Sequence, residues 1–160
     1  MEQKKMYSKN SHKTAITRRK VSLPIRKHLM GQLADVTKRR LDYGCGKGYD
    51  ADRLGMFKYD PHFFPDTPAG EFDYIYCGYV LNVLTRKEGQ QVMDNIMSLL
   101  KKRGVAYVVV RRDIERAHFT SKGTYQRPVR LNWNCGVYPV KETSNYCVYI
   151  VSKSAEVKVR

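Results

Sequence analysis

The chain has 160 residues, of which 42% are apolar and 12 are tyrosine, and its formal net charge is +15. That length fits one domain with its own core and excludes two ordinary ones, while the apolar content excludes a disordered chain. No apolar run approaches the roughly 18 residues of a membrane span, and no apolar segment follows the basic N-terminus as a secretory signal requires.

Residues 1–21 are polar, basic and weakly periodic, and are expected to be a basic segment flexible over at least its first ten residues, ahead of one domain over 22–160. A first helix is expected from Ser22 as cap and Pro24 in the first turn, with Ile25, Leu29, Leu33 and Val36 on one apolar stripe. "RRLDY" (39–43) reads as a strand entering a glycine loop. A short helix from Tyr49 to about Leu54 follows, then a strand "MFKY" ending at Asp60. "PHFFPDTPAGE" carries three prolines and reads as a loop.

"FDYIYC" (72–77) is a buried-strand candidate, and "TRKE" (85–88) has capping-box spacing. The helix it opens carries Val92, Ile96, Leu99 and Leu100 and is expected to stop near Gly104. "VAYVVV" (105–110) is the continuous apolar run of a parallel strand covered on both faces. The two strand-like runs within 131–153 predict a terminal hairpin. Strands alternating with helices in this way predict an open α/β sheet.

The cysteines (Cys45, Cys77, Cys135, Cys147) form no C-x-x-C pair and the histidines (His12, His28, His62, His118) are scattered. Neither a zinc site nor a disulfide framework is expected, and the compartment is expected to be reducing, the cytoplasm.

"LDYGCGKGYD" puts an acid, Asp42, at a strand end, then Gly44, Gly46 and Gly48 leading into a helix. Such a loop removes side chains where a nucleotide-type ligand lies against backbone. The dinucleotide fingerprint needs glycine at 49, where Tyr49 stands, and Lys47 is not placed as in a P-loop. What remains resembles motif I of the class I S-adenosylmethionine-dependent methyltransferases. The resemblance implies a Rossmann-like sheet, mostly parallel with a C-terminal antiparallel hairpin, and S-adenosyl-L-methionine as cofactor. It implies that Asp42, Gly44, Cys45, Gly46 and Gly48 lie against the methionine part. Asp60, a carboxylate at a strand end, would accept hydrogen bonds from the ribose diol. Cys77 and Gly78, on the strand read as the family's fourth, would stand where donor and acceptor meet.

From residue 12 to about 110, "HKTAITRRKVSLPIRKHL", "LDYGCGKGYD", "YDPHFFPD" and "GYVLNVL" are similar to the methyltransferases associated with DNA phosphorothioation. Members of that group are longer, so the chain resembles their catalytic core alone.

Two departures bear on the site. Only 12 residues separate Asp60 from Asp73, too few for the family's next helix and strand, so the third strand is expected to be missing. Pro61 and Phe63, with Phe64, would then build the adenine side, or the two phenylalanines plug the shortened edge. The fourth strand is followed by "CGYV" rather than the Pro-Pro motif of enzymes that methylate base amines, so either the acceptor is different or Tyr79 alone supplies the stacking face. Tyr79 and Asn82 either contact the acceptor or close the strand–helix corner. His12 is the first candidate base and His62 the next, each with a structural role as the alternative.

Charge is uneven: residues 1–40 carry a net +10, 41–100 a net −4 and 101–160 a net +9. Such a field attracts polyanions. Lys13, Arg18, Arg19, Lys20, Arg26 and Lys27 precede or enter the first helix, Arg111 and Arg112 follow "VAYVVV", and Lys122, Arg127 and Arg130 flank Tyr125 and Trp133. Cations interleaved with aromatics fit a single-stranded or flipped-out nucleic acid, or else form a solvated face. The sequence thus predicts a methyltransferase of nucleic acid, DNA ahead of RNA, with no metal and no membrane partner. The alternatives are a protein or small-molecule acceptor, or a non-catalytic cofactor-binding regulator.

Overall fold

In the computed structural model residues 9–160 are described. The first eight residues, on which most of the expected flexible segment falls, lie outside them.

Residues 9–21 run as a strap containing a 3-10 turn, Ser11–Thr14, into the first helix. That helix is a π-helical turn, Ile25–Leu29, followed by the α-helical turn Met30–Leu33 (α1). Ser22 does not cap it with its side chain. Its N–H donates to Asp50 Oδ1 at 2.9 Å and its Oγ lies 3.3 Å from Tyr76 Oη, so a buried residue ties the strap to two other elements. Val36, expected on the apolar stripe, is 81% exposed because the helix stops at Leu33. Arg40 enforces that stop. Its guanidinium donates to the carbonyls of Leu33, Leu54 and Gly55, satisfying the C-terminal ends of two helices at once.

Strand β1 (Arg40–Tyr43) leads through the glycine loop to α2 (Tyr49–Leu54) and β2 (Phe57–Tyr59); then come β3 (Phe72–Gly78), α3 (Arg86–Leu99) and β4 (Leu100–Arg111). The capping box opens α3 as expected: Glu88 N–H donates to Thr85 Oγ1 and Thr85 N–H to Glu88 Oε2, a device worth about 1 kcal/mol. The helix ends five residues before Gly104, however. Leu100 already pairs with Phe72, and the next match is Tyr74 with Val105, so the intervening residues form a bulge. At Gly104 an added Cβ would come within 2.8 Å of the Phe72 carbonyl, so this glycine serves the bulge rather than a helix end.

Beyond β4 lie a short ribbon, β5 (His118–Phe119) with β6 (Tyr125–Gln126), and the terminal hairpin β7 (Val137–Glu142) and β8 (Tyr146–Ser152). The main sheet has the order β2-β1-β3-β4-β8-β7. Pairings β1–β2, β1–β3 and β3–β4 are parallel, and β8 is antiparallel to both its neighbours. Strand β7 therefore runs in the same sense as β1–β4. Among the described residues no strand lies outside β2, as the short Asp60–Asp73 interval predicts.

Both sheet faces are covered, which is why "VAYVVV" reads as an unbroken apolar run. Ile75, Cys77, Ala106, Val108 and Val110 pack under α3 and the C-terminal tail, while Tyr76, Tyr107, Val109, Tyr146 and Val148 pack against Ile25, Leu29 and Leu33. Full burial of each large aliphatic or aromatic side chain contributes roughly 1.5–3 kcal/mol. No helix among the described residues is long and apolar enough to cross a membrane, and no group of three or more metal-ligating side chains occurs there.

Candidate active site

The order of the strands reverses between β1 and β3, whose carboxyl ends open a crevice, the place where open α/β sheets take ligands. A cavity of about 720 Å³ occupies it, within the range of small-molecule sites. Its floor is the glycine loop after β1 and Gly78–Tyr79 after β3. Its roof is the strap on one side and the β5–β6 ribbon on the other.

Gly44, Gly46 and Gly48 all adopt positive φ, +80°, +56° and +84°. The turn is folded back on the sheet by Gly44 N–H and Cys45 N–H, which both donate to the Tyr59 carbonyl. At Gly46 an added Cβ would be strained and would meet Ala15 of the strap at 3.3 Å. The spacing of glycines thus clears room for the chain's own strap as well as for a ligand. At Gly78 an added Cβ would come 2.5 Å from Tyr76 Oη, so the floor must be bare there.

Asp60 ends β2 and points back to the loop. Its Oδ2 accepts from Gly46 N–H at 3.0 Å, and its Oδ1 accepts from the N–H groups of His62 and Phe63 at 2.9 and 3.1 Å. A reciprocal backbone pair between Asp60 and Phe64 closes this turn. The turn presents Pro61 and His62 to the cavity. Phe63 packs edge-on against His62 and does not line it; Phe64 lies under Gly48, with Lys58 Nζ 4.5 Å from its ring centre. The aromatic pair thus braces the edge, and of this turn it is Pro61 and His62 that line the cavity, the His62 ring being stacked on that of His12.

Asp42 is buried behind the loop, outside the cavity lining. Desolvation, then the nearby Asp50 charge, hold its carboxyl well above the usual range, with Arg18 opposing and Asp60 adding to the shift. Cys45 lines the cavity, but burial and the charges of Asp42 and Asp60 push its thiol up, so it stays protonated. Cys77 is buried in β3, likewise kept protonated by desolvation, and does not reach the cavity.

The acceptor candidates separate. Tyr79 lines the cavity with φ +62°, the single non-glycine residue of positive φ among the described residues, and its N–H donates to the Val109 carbonyl at 2.8 Å. Asn82 is 1% exposed and spends its side chain on backbone. Its Oδ1 accepts from Arg111 N–H at 2.7 Å, and its Nδ2 donates to the carbonyls of Arg127 and Arg111 at 3.0 and 3.5 Å. It closes the corner between β3, β4 and the ribbon and also lines the cavity. His12 lies in the strap with its ring stacked on His62.

Of the cations, Lys13, Arg18, Lys122 and Arg111 line the cavity. Arg19, Arg26 and Arg112 do not: the Arg19 carbonyl accepts from Tyr49 Oη, Arg26 Nε donates to Val21 O, and Arg112 Nη1 donates to Thr143 O. Arg127 is buried, its Nε on the Leu84 carbonyl and its Nη1 on that of Pro128, so it is a brace rather than part of a basic surface. Arg130 and Trp133 lie away from the cavity.

Several groups at or around the cavity were not among the expected site residues. Lys47 Nζ donates to Thr17 Oγ1, Asn10 Nδ2 donates to the Gly123 carbonyl, and together these hold the strap between loop and ribbon. Asp113, Thr124, Gln126 and Asn145 complete the wall beside Tyr79. The turn "TSKGT" between two short alternating runs was the available hint of the ribbon.

No protein-family model and no curated protein matches the sequence. Solved structures do match in fold. The 1,6-didemethyltoxoflavin-N1-methyltransferase of Burkholderia thailandensis, solved with 1,6-didemethyltoxoflavin and S-adenosylhomocysteine, superposes with a TM-score of 0.53 at 14% identity, over 74% of this chain and 72% of that one. The N-methyltransferase NodS of Bradyrhizobium japonicum WM9, solved with S-adenosylhomocysteine, gives 0.53 at 11% identity, over 94% of this chain and 99% of that one. The sheet therefore has the Rossmann-like fold found in these two methyltransferases, mostly parallel with antiparallel pairing at its C-terminal end.

Proposed function

We propose that the chain is an S-adenosylmethionine-dependent methyltransferase. The observation that carries the reading is Asp60, at the end of β2, whose Oδ2 is fixed by Gly46 N–H of the glycine loop after the neighbouring β1 and which lines the cavity. The residues there suit that cofactor: the remaining acceptor capacity of Asp60 Oδ2 for a ribose hydroxyl, and a bare glycine backbone for the amino-acid part. Bound there, the sulfonium supplies a methyl group already activated for displacement, so the protein's part is positioning and exclusion of water. Calorimetry with the cofactor and its demethylated product tests this on wild type and on Asp60→Ala and Gly46→Val. Absence of binding by wild type sinks the reading.

For the acceptor, the reading is nucleic acid, DNA ahead of RNA. Support comes from the net charge of +15, from Lys13, Arg18 and Lys122 around the cavity, and from the resemblance to the DNA phosphorothioation-associated group. Transfer of label from methyl-tritiated cofactor should then fall steeply with salt. A small-molecule acceptor is the second reading. It is favoured by the roof of strap and ribbon over the cavity and by the small heterocycle bound to the Burkholderia thailandensis enzyme. Label found in a metabolite fraction, with transfer indifferent to salt, would decide for it.

A further inference from the structure

We propose that Asp113 is the hydrogen-bond and proton acceptor of the acceptor subsite, and that this subsite takes a flat heterocycle presenting an N–H. The inference rests on the methyltransferase reading above.

Two independent features meet on one wall of the cavity. The first is the backbone of Tyr79. A bulky residue at φ +62° costs of order 1–3 kcal/mol, and glycine would relieve that strain. The strained residue keeps a half-buried ring directly after β3, lining the cavity beside the end of β4. Part of the side chain packs on the cluster that holds Ile25, Leu29 and Tyr146, and the part that lines the cavity gives an aromatic surface suited to a planar ligand.

The second is the carboxylate of Asp113, two residues past the end of β4. Arg111 grips it from one side, with Nε on Oδ1 at 2.9 Å and Nη2 on Oδ2 at 2.6 Å. The same guanidinium is fixed from the other side by Gln126 of the ribbon, whose Oε1 accepts from Nη1 at 3.2 Å. The side chain of Asp113 remains 43% exposed and lines the cavity. A surface ion pair of this kind adds little to stability, but a triangulated one fixes the direction of the carboxylate's remaining lone pairs. Burial first, then Tyr146 and last the Asp113 charge hold the Tyr79 phenol above its usual range, so it stays neutral near the carboxylate.

A carboxylate accepts and never donates when ionised, so it selects for an N–H. On methylation, the acceptor nitrogen's lone pair forms the new bond to carbon while the sulfur–carbon bond pair stays on sulfur. As positive charge builds on that nitrogen in the transition state, its proton shifts to Asp113, and from there it passes to water. The hydrogen bonds from Arg111 hold the Asp113 carboxyl below its usual range. A weak base suffices, because the proton becomes acidic only once the nitrogen carries positive charge. The other charged or titratable groups close to this wall are Tyr79 itself, Tyr146 and Arg18 near its ring, and Arg111, while Lys122 lines the same cavity from the ribbon turn.

The test uses the full chain with Asp113→Asn and Asp113→Glu. The readouts are calorimetric affinity for S-adenosylhomocysteine, and tritium transfer to adenosine, cytidine, and mixed-sequence single-stranded DNA and RNA. Asp113→Asn should keep product affinity within about two-fold while kcat falls about 100-fold or more, the span of general-base contributions. Asp113→Glu should recover most of that loss. Label on the nucleosides identifies a free heterocycle as the source, and label on the oligonucleotides alone identifies a base within a strand. Wild-type turnover by Asp113→Asn, loss of product affinity in step with turnover, no recovery by glutamate, or no label on any probe would each overturn the proposal. In all four cases wild-type binding of S-adenosylhomocysteine leaves the methyltransferase reading standing; failure of that binding removes both.

Discussion

The imidazoles of His12 and His62 lie parallel, 4.0 Å between centres and inclined by 14°. One belongs to the strap and the other to the turn after Asp60, so this stack closes the strap over the edge of the sheet that has no third strand. Ring pairs of this kind contribute about 0.5–1.5 kcal/mol beyond burial, a few-fold in an opening equilibrium. His12→Ala should therefore loosen the strap without unfolding the domain. Trypsin should cut at Arg18, Arg19 or Lys20 several-fold faster than in wild type, with the melting temperature within 2–3 degrees, a shift of roughly 1 kcal/mol or less. Equal cutting rates would show that the strap is held by its other contacts alone.

Asp60 supports the glycine loop and the turn as well as facing the cavity. Asp60→Ala strands the partly buried N–H groups of Gly46 and Phe63, at about 1–3 kcal/mol for each, and releases the exposed N–H of His62 to water. Asp60→Asn keeps an acceptor oxygen for the turn but loses the charge-assisted bond. Chemical denaturation should rank wild type above Asn above Ala. Affinity for S-adenosylhomocysteine should already be lost in the Asn variant, where the fold is nearly intact. A full-affinity Asn variant would mean that Asp60 acts as a scaffold only.

The central sheet was legible because its strands are long apolar runs, and the missing edge strand because 12 residues cannot hold a helix and a strand. The end of α3 was misplaced because Leu100 continues the helical stripe and also begins β4. Val36 failed for a different reason: the stop at Leu33 is made by Arg40, a long-range partner that periodicity does not register. The two-residue strands β5 and β6 are too short to carry a pattern, so the wall with Asp113 and Gln126 was invisible, although Tyr79 and Arg111 on the same wall were named. The strap's course depends on single side-chain bonds to Asp50, Lys47 and Gly123, which no local rule encodes.

The strain at Tyr79 has a clean measure. Tyr79→Ala and Tyr79→Gly both delete the ring, so they differ only in backbone. At an ordinary site alanine is the more stable of the two by roughly 0.5–1 kcal/mol; at φ +62° the order should reverse by about 1 kcal/mol. Urea midpoints of the two variants decide it. Both should keep affinity for S-adenosylhomocysteine and lose methyl transfer, as expected if the ring serves the acceptor.

Asn82 should behave as a structural residue. Its amide bridges Arg111 N–H and the Arg127 carbonyl from a buried position. Asn82→Ala leaves buried groups unpaired, about 1–3 kcal/mol for each. Asn82→Asp turns a donor into a second acceptor facing a carbonyl and should be worse still. Thermal melts giving Asp below Ala below wild type confirm this. An aspartate variant as stable as wild type would contradict the buried bridge.

Asp42 gives the pH dependence. Its carboxyl is raised in the folded chain, first by desolvation and then by Asp50, whereas unfolded it titrates near 4. The folded state therefore holds a proton that the unfolded state releases. The contribution is fully present below the unfolded value and is lost as pH rises toward the folded one. Asp42→Asn keeps the shape and removes the titration. The variant should be more stable than wild type at pH 8, with an advantage that shrinks on acidification and vanishes below about pH 4, the slope never exceeding about 1.4 kcal/mol per pH unit for one proton. Urea unfolding between pH 3.5 and 8 measures it. A constant gap across that range would show that Asp42 is ionised in the fold, compensated by Arg18. Calorimetry on the same variant then reveals why a destabilising acid stands there: if affinity for S-adenosylhomocysteine drops while stability rises, the buried carboxylate serves the glycine loop at the expense of the fold.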